Sequence, residues 1–242
     1  MADQAVERWH SERMQRDITV TRWGHYGTPV LVFPTAGGDA HEIERMGLVD
    51  RCRHLLDGGR VKIYSCDSVA GQALLRHEGS PEHRMWLFNQ FHEAVAHEVV
   101  PAIHTDTHSG GPVLVAGSSI GAFNSLAMLC RFPWLFSSAV CMSGSYRIEH
   151  LIGGTPNQDF YFSSPLHFLP GLRGDQLDQA RRRFVVLASG TGDYEDIGES
   201  WAAAGALGAK GIPNRVDDWG PTYTHDWPTW WEMLPAYLAE LA

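Results

Sequence analysis

Ser119 stands in the pentapeptide Gly117-Ser118-Ser119-Ile120-Gly121, directly behind the apolar run 112–116 and ahead of an apolar helical pattern. A serine set as G-x-S-x-G between a buried strand and a helix marks a turn, the nucleophile elbow, that lifts a hydroxyl above the end of a sheet. Both glycines serve that turn. The reversal is so tight that a Cβ at either one would strike the neighbouring strand or helix, and the serine between them is held in strained backbone geometry. Ser118 carries the same hydroxyl, but it occupies the x position and points elsewhere.

A serine hydroxyl becomes a useful nucleophile only when a base removes its proton, and in this arrangement an acid and then a histidine follow the serine along the chain. Three histidines lie downstream of Ser119. His150 and His167 come early, in an irregular stretch. His225 follows the last strand, in Gly220-Pro221-Thr222-Tyr223-Thr224-His225-Asp226-Trp227, on a loop from which its imidazole can reach the elbow. The acid that fixes the imidazole tautomer is expected in Gly190-Thr191-Gly192-Asp193-Tyr194-Glu195-Asp196, beyond the strand at 184–188. Asp193 is the expected partner because it is the first carboxylate past the Gly-x-Gly turn. Glu195 competes for the role, and Asp196 has the place of a helix cap.

Negative charge developing on an acyl oxygen needs two preset donors. The N–H of Ile120, at the start of the helix after the nucleophile, is one. The other is expected from the loop Phe33-Pro34-Thr35-Ala36-Gly37-Gly38-Asp39, where Ala36 is the best match and Gly37 is close behind. Metal chemistry has little support. His41-Glu42 lacks the second histidine of H-E-x-x-H, and His92 and His97 are spaced off a common helical face.

The elements that must hold these groups alternate. Strand patterns run at 18–23 and 29–33, joined by Gly24-His25-Tyr26-Gly27 as a hairpin, then at Val61–Cys66, 112–116, 137–142, 184–188 and 214–219. Helical spacing appears at 83–104, 121–130, 200–210 and Trp227–Leu241. This order calls for an α/β fold: a mostly parallel sheet covered on both faces and entered through an antiparallel N-terminal hairpin. Residues 143–180 break the rhythm with Gly, Pro and the aromatics Tyr146, Phe160, Tyr161, Phe162 and Phe168. An irregular insertion of that length is expected to shape substrate choice, with Trp86, Trp230 and Trp231 as neighbouring walls of a small or aromatic acyl pocket.

The 242 residues, 44% hydrophobic and 19% charged, suit one domain with a sizeable core and exclude a disordered or fibrous chain. A net charge of -9, dispersed along the chain, argues against nucleic acid or an anionic membrane surface as partner. Residues 1–8 lack the cationic start and apolar run of a leader, no stretch reaches membrane-span length, and Cys52, Cys66, Cys130 and Cys141 are scattered. A cytoplasmic, reduced setting is expected, with homo-oligomer formation left open.

Together, the elbow, the acid loop and the ending His225-Asp226-Trp227 resemble the α/β-hydrolase superfamily, and within it the putative-esterase group of feruloyl esterases, esterase D and mycobacterial mycolyltransferases. Val32-Phe33-Pro34-Thr35, Leu187-Ala188-Ser189-Gly190-Thr191-Gly192-Asp193, and Trp219-Gly220 followed by His225-Asp226-Trp227-Pro228 are similar to segments of an uncharacterised bacterial esterase-like branch. The likeness runs from about Thr19 to Leu238. It implies an α/β-hydrolase fold, a Ser119, His225 and Asp193 triad, and an oxyanion hole from Ala36 and Ile120. The early loop, Pro34-Thr35-Ala36-Gly37-Gly38, departs from the His-Gly opening of many esterases. The expected chemistry is hydrolysis of a small-molecule carboxylic ester through an acyl-enzyme, without a cofactor. Acyl transfer with the same triad and a non-catalytic binding role are the alternatives.

Overall fold

The computed structural model describes residues 4–242; residues 1–3, the start of the stretch read for a leader, lie outside it. Eight strands form one sheet in the order β1-β2-β4-β3-β5-β6-β7-β8, namely β1 (Gln4–Ser11), β2 (Arg16–Trp23), β3 (Thr28–Phe33), β4 (Val61–Cys66), β5 (Val113–Ser118), β6 (Phe136–Met142), β7 (Phe184–Ser189) and β8 (Asn214–Asp218). From β4 to β8 every pairing is parallel, while β1 and β2 run antiparallel at one edge.

The period of two along the central strands sorts side chains into two cores. Leu31, Phe33, Val113 and Val115 face a layer containing the helices Pro81–Ala94, Val100–Thr107, Ile120–Arg131 and Ile197–Ala209. Val30, Val32, Leu114 and Ala116 face the short helices of 42–57 and the closing helix Trp227–Leu241. Local signals set the helix starts: Ser80 accepts from the His83 N–H ahead of Pro81, and the Asp226 carboxylate accepts from the Trp227 N–H ahead of Pro228.

The antiparallel entry is present, but its strands differ from those expected. β1 pairs with β2, and β4 lies between β2 and β3. The glycines of 24–27 serve a crossing rather than a hairpin. Gly27 has φ +112, and a Cβ there would sit 2.6 Å from the Arg60 carbonyl carbon, where the chain passes close beneath the start of β4. β1 is an edge strand with largely exposed side chains, so it carries no apolar alternation to betray it.

The insertion is also more regular than its composition suggests, with short helices at Glu149–Ile152, Gln158–Ser163, Pro165–Phe168 and Gly174–Ala180. Most of its aromatics became core: Tyr146, Phe160 and Phe168 are buried, and only Tyr161 and Phe162 are well exposed. The cysteines are free and buried, and burial pushes the Cys52 and Cys141 thiols up to about 12. No described helix is long and apolar enough to cross a membrane.

Candidate active site

Ser119 sits between β5 and the helix Ile120–Arg131 with φ +57 and ψ -120, a conformation that costs a non-glycine residue on the order of 1–3 kcal/mol. Its N–H donates to Met142 O at 3.0 Å, tying the turn to the end of β6. The flanking glycines are needed as the pattern implied. A Cβ on Gly117 would lie 2.4 Å from the Gly121 carbonyl carbon, and one on Gly121 would lie 2.5 Å from Phe33 O. Ser119 is partly exposed, whereas Ser118 is only 4% exposed. Of the two hydroxyls, Ser119 is the one placed at the surface of the turn.

His225 lies on the loop between β8 and the closing helix. Its N–H donates to Asp193 O at 3.0 Å, and its ring stands edge-on to Trp230 with centroids 5.4 Å apart. The carboxylate facing its Nδ1 belongs to Glu195, with Oε2 at 3.7 Å. Asp193, the expected partner, is placed differently. Asp193 contributes a backbone carbonyl to the histidine loop, while its side chain is exposed.

The reason is a turn that spacing alone does not reveal. Glu195 N–H donates to Gly192 O at 3.2 Å, which leaves Asp193 and Tyr194 at the outward corners of a four-residue turn. Tyr194 has φ +62 and is 94% exposed. The chain then returns inward at Glu195, whose side chain is 1% exposed.

Glu195 is held from two strand ends. Ser143, just past β6, donates its hydroxyl to Oε1 at 2.5 Å and accepts from Trp230 Nε1–H at 2.9 Å. Ser189, ending β7, places its hydroxyl 3.1 Å from Oε2 and 2.9 Å from Gly190 O, sharing one proton between them. Ser143 itself has φ +48 and is 2% exposed. A strained, buried serine bonded to a buried carboxylate makes the acid's orientation a property of the β6 and β7 ends. Ser143, Ser189 and Trp230 were not anticipated in these roles. The available signal was a serine following the apolar last residues of each of two strands, since a buried hydroxyl needs a partner.

The two expected oxyanion donors come from segments that meet at the elbow. Ile120 opens its helix, where the first N–H groups have no intrahelical acceptor and the helix dipole favours negative charge. Ala36 and Gly37 are the central residues of a turn closed by Gly38 N–H to Thr35 O at 3.1 Å. Glu42 clamps that turn, accepting from Thr35 N–H at 2.7 Å and Thr35 Oγ1 at 2.8 Å. Gln72 Nε2 donates to Gly38 O at 2.7 Å. Gly71 packs so close that a Cβ there would be 2.5 Å from Ala36 O. The turn is thus packed directly on the helix Val69–Leu75 and bonded to it.

Other singled-out residues have different employment. His92 is fully buried in an aromatic cluster, its Nε2 3.0 Å from Asn124 Oδ1, and burial followed by the nearby Arg131 charge pushes it down to about 3. His97 instead pairs with Glu93 at 3.2 Å. His167 bonds Ser164 and packs on Phe160 within the insertion. Trp86 stacks on His83, and Trp231 donates to Met46 O, whereas Trp230 packs against His225. Trp227 packs edge-on against Trp230 at 5.1 Å, backing the ring that supports His225.

Residues 57–241, well over half the chain, match the family model described as Putative esterase. The chain belongs to that family. Its fold is similar to MPT51 from Mycobacterium tuberculosis, with 16% identity, a TM-score of 0.75, and coverage of 100% of this chain and 98% of that one. It is also similar to an S-formylglutathione hydrolase from Agrobacterium tumefaciens, at 13% identity and a TM-score of 0.74, covering 98% and 93% of the two chains. A ferulic acid esterase gives 15% identity and a TM-score of 0.72, covering 98% and 96%. No curated protein matches the chain. An esterase-family chain in an α/β-hydrolase-like fold, with its antiparallel N-terminal strands, agrees with the fold and family expected from the motifs.

Proposed function

We propose that this chain is a serine esterase in which Ser119, His225 and Glu195 form the proton relay. Ser119 Oγ attacks the ester carbonyl carbon while His225 Nε2 takes the serine proton. As the tetrahedral intermediate collapses, the same imidazolium returns the proton to the departing alcohol. Glu195, facing Nδ1, fixes the tautomer and stabilises the imidazolium. The N–H groups of Ile120 and Ala36 stabilise the oxyanion, and water, activated by His225, releases the acid.

The observation that carries this reading is the buried Glu195 carboxylate, held by Ser143 and facing His225 Nδ1 at 3.7 Å. A carboxylate desolvated for no purpose is costly, whereas one aimed at a histidine that must become cationic is put to use. We read residues 1–242 as one catalytic domain acting in the cytoplasm on a small-molecule ester. A fluorophosphonate is expected to label the protein stoichiometrically at Ser119 and to leave Ser119→Ala untouched. An unlabelled intact protein contradicts the reading. Product analysis with an added acceptor alcohol separates hydrolysis from acyl transfer.

A further inference from the structure

We infer that the acyl group of the ester lodges in a cavity of ≈ 180 Å³ lined by Ala36, Leu74, Leu75, His77, His150 and Leu151, and that this cavity selects short aliphatic acyl chains. The inference rests on the serine-esterase reading. It begins with Ala36, which is at once a lining residue and the expected oxyanion donor. The first carbon of an acyl chain is two bonds from the carbonyl oxygen, so an oxygen held by the Ala36 N–H starts the chain at the cavity.

The walls then define the chemistry. Leu74 and Leu75 end the helix Val69–Leu75, and Leu151 lies on the insertion helix Glu149–Ile152. Leu74 is buried, yet Leu75 is 57% exposed, an apolar side chain without a full set of protein neighbours at the edge of the cavity. It packs over the donor turn: a Cβ on Gly37 would meet Leu75 Cδ1 at 3.2 Å. His77 and His150 are exposed, so the lining combines solvent-facing imidazoles with leucine surface. Among the described residues this lining includes no Phe, Tyr or Trp. The insertion therefore shapes the cavity through a leucine and a histidine rather than through the aromatics expected of it.

Burial of each added methylene against leucine surface is expected to raise kcat/KM about four-fold until the cavity is full. The test is a series of 4-nitrophenyl esters from acetate to octanoate, with benzoate and cinnamate alongside, on wild type, Leu75→Trp and Leu151→Trp. Both positions are incompletely buried, so an indole can be accommodated with the fold retained, and labelling by a small fluorophosphonate reports a folded elbow in each variant. Wild type is expected to rise from acetate through the short chains and then fall. Each tryptophan variant is expected to lower the hexanoate-to-acetate ratio at least tenfold. A labelled protein whose ratio ignores both substitutions, or that prefers cinnamate to every aliphatic ester, overturns the acyl cavity alone. A wild-type chain that fails to label overturns the esterase reading and this inference with it.

Discussion

Replacing Glu195 by Gln separates the structural account from the assignment that spacing favours. Gln keeps the size of the side chain and an acceptor oxygen but removes the charge that faces the imidazolium in the transition state. At the observed 3.7 Å and an effective dielectric of about 20, that attraction amounts to about 4.5 kcal/mol, or roughly 2,000-fold in rate. The imidazole is 23% exposed, which screens part of the interaction, so the expected loss is about 100- to 2,000-fold. It should fall on kcat, with KM little changed, because the cation exists only after proton transfer begins. Asp193→Asn alters an exposed side chain and keeps the backbone carbonyl that holds His225, so its loss should stay within about threefold. Steady-state kinetics on a 4-nitrophenyl ester measures both. The reasoning fails if Asp193→Asn loses more than a hundredfold while Glu195→Gln retains a tenth or more of its activity.

Ser143→Ala removes the donor to Glu195 Oε1 and leaves the buried Trp230 Nε1–H without its acceptor, so urea denaturation should register a loss of about 1–3 kcal/mol together with a lower kcat. Gly121→Ala drives a Cβ against the Phe33 and Pro34 carbonyls and should cost on the order of 3 kcal/mol, seen as a lower melting temperature and weakened fluorophosphonate labelling. His92 is held neutral in the fold, at about 3 against an ordinary 6.5 in the unfolded chain. Below that ordinary value the unfolded chain binds a proton that the folded one does not. The stability due to this residue is thus whole above pH 6.5 and falls, by up to about 1.4 kcal/mol per pH unit, as pH drops towards 3. His92→Gln, neutral throughout, should flatten that slope in denaturation curves at pH 7, 6 and 5, and equal slopes in both proteins would refute the assignment.

Much of the fold was legible because the central strands are nearly continuous apolar runs and three of the helices begin at side-chain caps, Ser80, Asp196 and Asp226. The elbow was legible for a stronger reason: its two glycines answer steric contacts with Gly121 and Phe33 that no other residue tolerates. What escaped depends on long-range geometry. β1 is a polar edge strand with no period, and the crossing at Gly27 uses the same residue types as a hairpin turn. In the acid loop, order along the chain favoured Asp193, while the direction of each carboxylate is set by the Gly192-to-Glu195 turn and by two serines far away in sequence. The acyl cavity is still less local, since its walls join a donor loop, a helix end and the insertion.

The most direct measurement of the central claim is a rapid-mix experiment with a 4-nitrophenyl ester, coupled to acid quench and mass spectrometry. The account predicts a burst of one nitrophenolate per chain and an acyl group mapped to Ser119, both absent from Ser119→Ala. Turnover by Ser119→Ala at the wild-type rate, or an acyl group found on another residue, would contradict it.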